Sequence, residues 1–274
     1  EGSSERPPIR DIILVHDIIR AEIGRFSAVV TKVQSSIGCS TELLSALQSH
    51  HRFLSAMCDS HSQSEEMVLF PAVAGCDDLG FSTNRCSTDL TDHLQEEHQT
   101  EAKHLMHLRA LVQQVCSLAQ MDEGAAAVSE RAVLARELVS ATQTAMRDIA
   151  LHLKVEETEL LPVVERNFNA VEQRTLFWKV LISMPLQVLE HLLGLMGKSC
   201  DQTTADALLH NLKMAAPSSR PEDYAEGAAG SDSLDGDYGE KMLAGLFARW
   251  ISRSAQNPAG DEPDTEGQEV DVNA

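Results

Sequence analysis

Aromatic residues are scarce, with Phe, Trp and Tyr making up 4% of 274 residues. Beside a hydrophobic content of 43%, that shortage argues against a β-sandwich and favours packed helices. Basic residues are few as well. Lys and Arg number 22 against 42 Asp and Glu, a formal net charge of −20, which would repel a phosphate backbone, so no direct nucleic-acid partner is expected. The six cysteines, at 39, 58, 76, 86, 116 and 200, include no C-x-x-C, which excludes zinc-finger spacing and a redox pair. Scattered thiols suit a reducing compartment, the cytoplasm or nucleus. No signal peptide and no membrane-length apolar run is present, so no membrane partner is expected. An initiator Met is also missing before EGSSERPP, and the chain reads as a fragment of a larger protein.

What is present is helix-period sequence. Pro7 and Pro8 suit a helix start, and a first helix is expected to run to about Ser36 with Ile12, Ile19, Ile23, Phe26 and Val30 on one stripe. After Gly38, Ser40 or Thr41 can cap a second helix that reaches about Val73. Residues 75–87 read as a loop. A third helix is expected from about Thr88 to Met121 and a fourth from about Ala126 to Phe168. Long helices with short connections predict an all-α, up-down-up-down four-helix bundle over residues 1–169. Residues 170–214 read as a helical extension packed on it, 215–238 as a flexible linker, 239–253 as an amphipathic C-terminal helix and 254–274 as a disordered acidic tail.

Two segments repeat one pattern. HSQSEEMVLFPAV (61–73) and HLKVEETELLPVV (152–164) both read H-x-x-x-E-E-x-x-L-x-P-x-V. Residues four apart on a helix share a face, roughly 6 Å apart along the axis. His61 with Glu65, and His152 with Glu156, therefore point together, and apolar stripes direct both pairs into the bundle. His16 and His98 lie on the inward stripes of the other two helices. A single His on an apolar face is ordinarily a satisfied core residue, and one H-x-x-x-E pair arises by chance. Four histidines and two glutamates on four core faces are a different matter, because a buried carboxylate is costly unless paired or metal-bound. Two glutamates can bridge two cations and four imidazoles can terminate them. Imidazole and carboxylate without thiolate suit iron, manganese or zinc. Eight protein bonds for about twelve octahedral positions leave about four for other ligands.

The remaining histidines are assigned surface or structural roles. His50 sits three turns from His61 on the same face, about 16 Å away, too far to share a metal. His93 has Glu97 four residues on, but Asp89, Glu96 and Thr100 make that face polar and solvated. His51, His104, His107, His191 and His210 have no carboxylate partner on an apolar stripe.

The series His16, His61-x-x-x-Glu65, His98, His152-x-x-x-Glu156 resembles the hemerythrin domain, in the form found in eukaryotic iron regulators. Oxygen carriers of that family place a second His four residues after the third-helix ligand, where this chain has Ala102. HSQSEEMVLFPAV, FWKVLISMPLQVLEHLL, ALLHNLKMAAP and LAGLFARW extend the resemblance over roughly residues 7–253, to one repeat of the BRUTUS-type hemerythrin E3 ubiquitin ligases of plants and algae. The resemblance implies two iron ions in an oxo- or hydroxo-bridged centre on His16, His61, Glu65, His98, His152 and Glu156, and no catalytic residue in this chain. It also implies, as partners, the other domains of a parent ligase, transcription-factor substrates and oxygen as a small ligand. Ligase activity would lie in zinc modules whose cysteine pairs this chain lacks. The implied role is an iron-sensing module in iron homeostasis, and the alternative is a stand-alone oxygen-binding or redox-active di-iron protein.

Overall fold

Buried residues recur along each long helix in steps of four and three, the spacing that keeps one seam facing a neighbour. In the computed structural model, which describes residues 6–36, 39–76, 87–119 and 125–215, these seams close into a four-helix bundle. A 3₁₀ turn (Pro8–Asp11) leads into α1 (Ile12–Ser35), followed by α2 (Thr41–Ala74), α3 (Ser87–Ala119) and α4 (Ala125–Val155). Helices α1 and α3 each pack against both α2 and α4. The seam of α1 passes through Ile12, His16, Ile19, Ile23, Phe26 and Val30, and that of α3 through Leu94, His98, Glu101, Leu105, Leu108 and Val112, all buried. The two seams share one register, with His16 matching His98.

Local chemistry sets the ends. Ser40 caps α2 by accepting a hydrogen bond from the Leu43 amide at 3.2 Å. The expected single fourth helix is interrupted. A π-turn (Glu156–Leu160) follows α4, and α5 (Leu161–Asn167) completes the element. The inward seam of α4 runs through Ile149, His152 and Glu156 and then skips to Leu160, so the wider turn absorbs one extra residue. Pro162 has no N–H to return to residue 158, which permits the widening. It does not dictate it, because Pro71 at the matching place in α2 leaves that helix regular.

Three shorter helices follow: α6 (Ala170–Ser183), α7 (Leu186–Ser199) and α8 (Gln202–Ala215). A reciprocal capping box joins Asn169 and Glu172 at the start of α6. Helix α6 packs on α2, on α8 and on the 3₁₀ turn, and α7 packs on α1 and α2. Asn211 of α8 donates to the buried Asp11 at 2.7 Å and accepts from Arg174 at 2.9 Å, tying both ends of the described chain together. Among the described residues no single helix is long and apolar enough to cross a membrane; α6 and α7 suffice only as a pair, bent by 120°. The expected linker (beyond Ala215), the 239–253 helix and the acidic tail lie outside the described residues, as does most of the 75–87 loop.

Candidate metal centre

All six side chains singled out in the sequence meet in the interior of the bundle, each no more than 5% exposed. They form two overlapping groups. His16, His61, Glu65 and Glu156 make one, and Glu65, His98, His152 and Glu156 the other, with the potential ligand atoms of each group within 4.8 Å of one another. Glu156 divides its oxygens between them. Its Oε2 lies 3.5 Å from His16 Nε2 and 3.9 Å from His61 Nε2, and its Oε1 lies 3.1 Å from His152 Nε2 and 3.8 Å from His98 Nε2. Glu65 Oε2 lies 3.5 Å from His61 Nε2 and 3.7 Å from His98 Nε2. The rings are paired in the same way, His16 edge-on to His61 and His98 edge-on to His152.

These atoms face each other without bonding each other. Among the described residues ten buried side-chain nitrogen and oxygen atoms have no hydrogen-bond partner, and nine belong to these six residues. Buried polar atoms are ordinarily satisfied, so a cluster of orphans around one small volume marks a place built for a cation. Adjacent donors on one ion, each about 2.1 Å from it, lie roughly 3 Å apart, near the shortest separation here. The donor set fits a dinuclear cation site: each carboxylate belongs to both groups, and each group has two imidazoles of its own.

Three imidazoles are also held from behind. His16 Nδ1 donates to Glu157 at 3.0 Å, His98 Nδ1 to Glu66 at 3.0 Å, and His152 Nδ1 to Glu97 at 3.0 Å. A carboxylate there can only accept, which places the proton on Nδ1 and leaves Nε2 free to bind metal. The second glutamate of each repeated H-x-x-x-E-E is thereby explained: Glu66 of α2 orients the His of α3, and Glu157 of the π-turn orients the His of α1. Arg20 anchors Glu157 at 2.7 Å, and Phe70 stacks on His98.

Residues 8–164 match the hemerythrin HHE cation-binding domain model. The chain belongs to the hemerythrin family. It is 30% identical over 219 residues to zinc finger protein BRUTUS of Arabidopsis thaliana, covering 80% of this chain and 16% of that protein. Two BRUTUS-like zinc finger proteins of the same plant are 24% identical over 185 residues and 22% over 192, each alignment covering 68% of this chain and 13% of the relative. The chain therefore spans less than a fifth of the length of these relatives. No solved structure matches it.

In this hemerythrin the pseudo-symmetry is broken at His61. Its Nδ1 has no partner, because the α1 position matching Glu97, which immediately precedes His98, is Val15, which immediately precedes His16. Protons are shared unequally as well. Burial and the nearby Glu156 charge hold the Glu65 carboxyl well above its ordinary value. Burial alone would raise Glu156 too, but His152, His98 and His16 more than offset it and hold it well below. Burial would lower His152, yet Glu156 and Glu97 carry it up to about 11. His61 is pushed well below its ordinary value by burial and by the imidazoles around it.

Two sequence assignments change and one residue is added. Glu97 does contact His93 at 3.5 Å, but its face is not merely solvated, since its other oxygen reaches inward to His152. On α2 the seam runs through His51, not His50. His51 is 4% exposed, with Nε2 3.1 Å from the Leu105 carbonyl, whereas the half-buried His50 turns to Glu22 at 3.7 Å. Over ten residues the seam follows the 3.5-residue repeat of a bundle and drifts off the 3.6-residue stripe of an isolated helix. Glu101 was passed over entirely, although it stands in the α3 seam between His98 and Leu105. Extending the steps of four and three through every residue of α3 would have found it.

Proposed function

We propose that this chain is a di-iron-binding regulatory module that senses iron within a larger E3 ubiquitin ligase controlling iron homeostasis. The observation that carries the reading is the set of nine orphaned nitrogen and oxygen atoms on six residues, arranged as two groups that share both carboxylates. The donor chemistry is nitrogen and oxygen with no thiolate, which suits iron, manganese or zinc; the resemblance to the hemerythrin domain of eukaryotic iron regulators supports iron. Similarity to BRUTUS, with the small fraction of it that the chain spans, supports a module acting through other domains, and the scattered thiols suit the nucleus or cytoplasm.

The sensing logic follows from burial. Glu65 and Glu156 are wholly buried, so an iron-free centre holds orphaned acids in an apolar bundle and an iron-bound one does not. Occupancy therefore changes stability more than shape. A partner, protease or neighbouring domain can read that difference as ease of opening. Limited proteolysis and thermal melting with and without ferrous iron test this. Iron-bound protein should resist cleavage and melt higher; indistinguishable digestion and melting would end the sensor reading.

A second reading, a stand-alone oxygen-binding or redox-active protein, draws on one feature. Ala102 and His98 line a surface cavity of about 170 Å³ between α2 and α3, giving small molecules an approach to the centre. Repeated oxygen or peroxide consumption by the loaded chain would favour this reading, and stoichiometric consumption would favour the module.

A further inference from the structure

The tenth orphaned atom is Oε1 of Glu101. Among the described residues it is the one unpartnered buried side-chain oxygen or nitrogen outside the six residues above. Glu101 is 6% exposed and stands in the α3 seam one turn after His98. The matching seam position on α1 is Ile19, also buried, so that register accepts a hydrophobe without difficulty. A carboxylate there costs stability unless something compensates it.

Its surroundings indicate what compensates it. The strongest electrostatic influences on Glu101 come from His152 and His98, which belong to the second group, then from Glu156, which both groups share, and from Glu97. Burial pushes its carboxyl up to about 7, as expected of an acid lacking a full counter-charge. Glu101 lines the α2–α3 cavity beside Ala102, and it also lines a second depression toward α4 with Glu97 and Asp148. It thus lines both openings, and the α2–α3 cavity also borders His98.

We propose that Glu101 is a seventh metal-ligating side chain, a carboxylate donor to the cation held by Glu65, His98, His152 and Glu156. The two cation positions are then unequal. The α3–α4 position has five protein donors and the α1–α2 position four, so the first keeps its ion at lower free metal. Glu101 stands outside the two groups whose ligand atoms lie within 4.8 Å of one another, so its carboxylate must turn inward to bind.

The inference rests on the two-cation reading, and the test separates them. Metal-free chain would be titrated with cobalt(II), whose absorption reports nitrogen and oxygen ligation, for wild type, Glu101→Gln and Glu101→Leu. Wild type should take up two ions. Glu101→Gln should weaken one of them by about tenfold or more, since removing even an outer partner of a ligand costs about that much, and leave the other unchanged. Metal-free Glu101→Leu should melt higher than wild type, because the seam becomes apolar as at Ile19, and should gain less from cobalt. Wild-type uptake of two ions with both variants binding equally well would overturn the role of Glu101 alone. A lower-melting metal-free Glu101→Leu would make the residue structural and overturn it too. Failure of wild type to bind a pair of ions would remove both readings.

Discussion

Glu157 holds His16 across the α1–α4 interface, with the imidazole Nδ1 donating to the carboxylate at 3.0 Å. Glu157 makes it from the π-turn (Glu156–Leu160), as Glu66 makes the matching contact to His98 from the regular helix α2. One glutamate of the doublet thus faces the centre while the next reaches the imidazole of another helix.

Removing that support should weaken metal binding without removing a ligand. Glu157→Gln, Glu66→Gln and Glu97→Gln are each expected to lower affinity by about 10–100-fold while leaving two ions bound at saturation. Competition against a chelator of known affinity measures this. Unchanged affinity in all three variants would show that the imidazoles are oriented by packing alone.

Acid should reveal the same contact in metal-free protein. Burial would raise Glu157, but His16 and Arg20 outweigh it and lower its carboxyl from 4.5 to about 2. A depressed carboxylate contributes stability that is present above about pH 4.5 and is lost as pH falls toward 2. Glu157→Gln should therefore show a shallower loss of stability than wild type across that window, measured by denaturant melts at successive pH values.

His51 and His50 should behave differently from each other and from the site. His51→Ala removes a buried ring and its hydrogen bond to the Leu105 carbonyl, so it should destabilise by about 1–3 kcal/mol. His50→Ala, at a half-buried position, should cost less. Both variants should keep full metal. Loss of an ion in either would mean that the second helix carries a ligand not recognised here.

The first and last described elements are coupled through Asp11 and Asn211. Asn211→Ala leaves a buried acid, already raised by burial, without its hydrogen-bond donor, and should cost about 1–3 kcal/mol. Equal melting of variant and wild type would show that α8 adds nothing to the bundle's stability.

The bundle and the six inward residues were legible because they obey two simple periods. Steps of four put His and Glu on one face, and apolar neighbours say which way that face points. The supporting carboxylates were less legible. Glu66, Glu97 and Glu157 flank site residues in the sequence but serve imidazoles on other helices, and no periodicity within one helix reveals a partner on another. Glu157 also sits in a π-turn that Pro162 permits and Pro71 does not produce, so local sequence does not decide that turn. His50 was placed inward for a narrower reason, since a 3.6-residue stripe drifts from a 3.5-residue seam within three turns, whereas Glu101 stands in line with Leu94, His98 and Leu105 and only its charge sets it apart.

The central claim is that six side chains hold two cations. Iron content per chain, measured after reconstitution and desalting for wild type and for Glu65→Ala with Glu156→Ala, tests it most directly. The account predicts two irons per chain in wild type and close to none in the double variant, with wild type melting roughly 5–10 °C above its own metal-free form when free metal exceeds Kd about 100-fold. One iron or fewer in wild type, or two retained without both carboxylates, would contradict it.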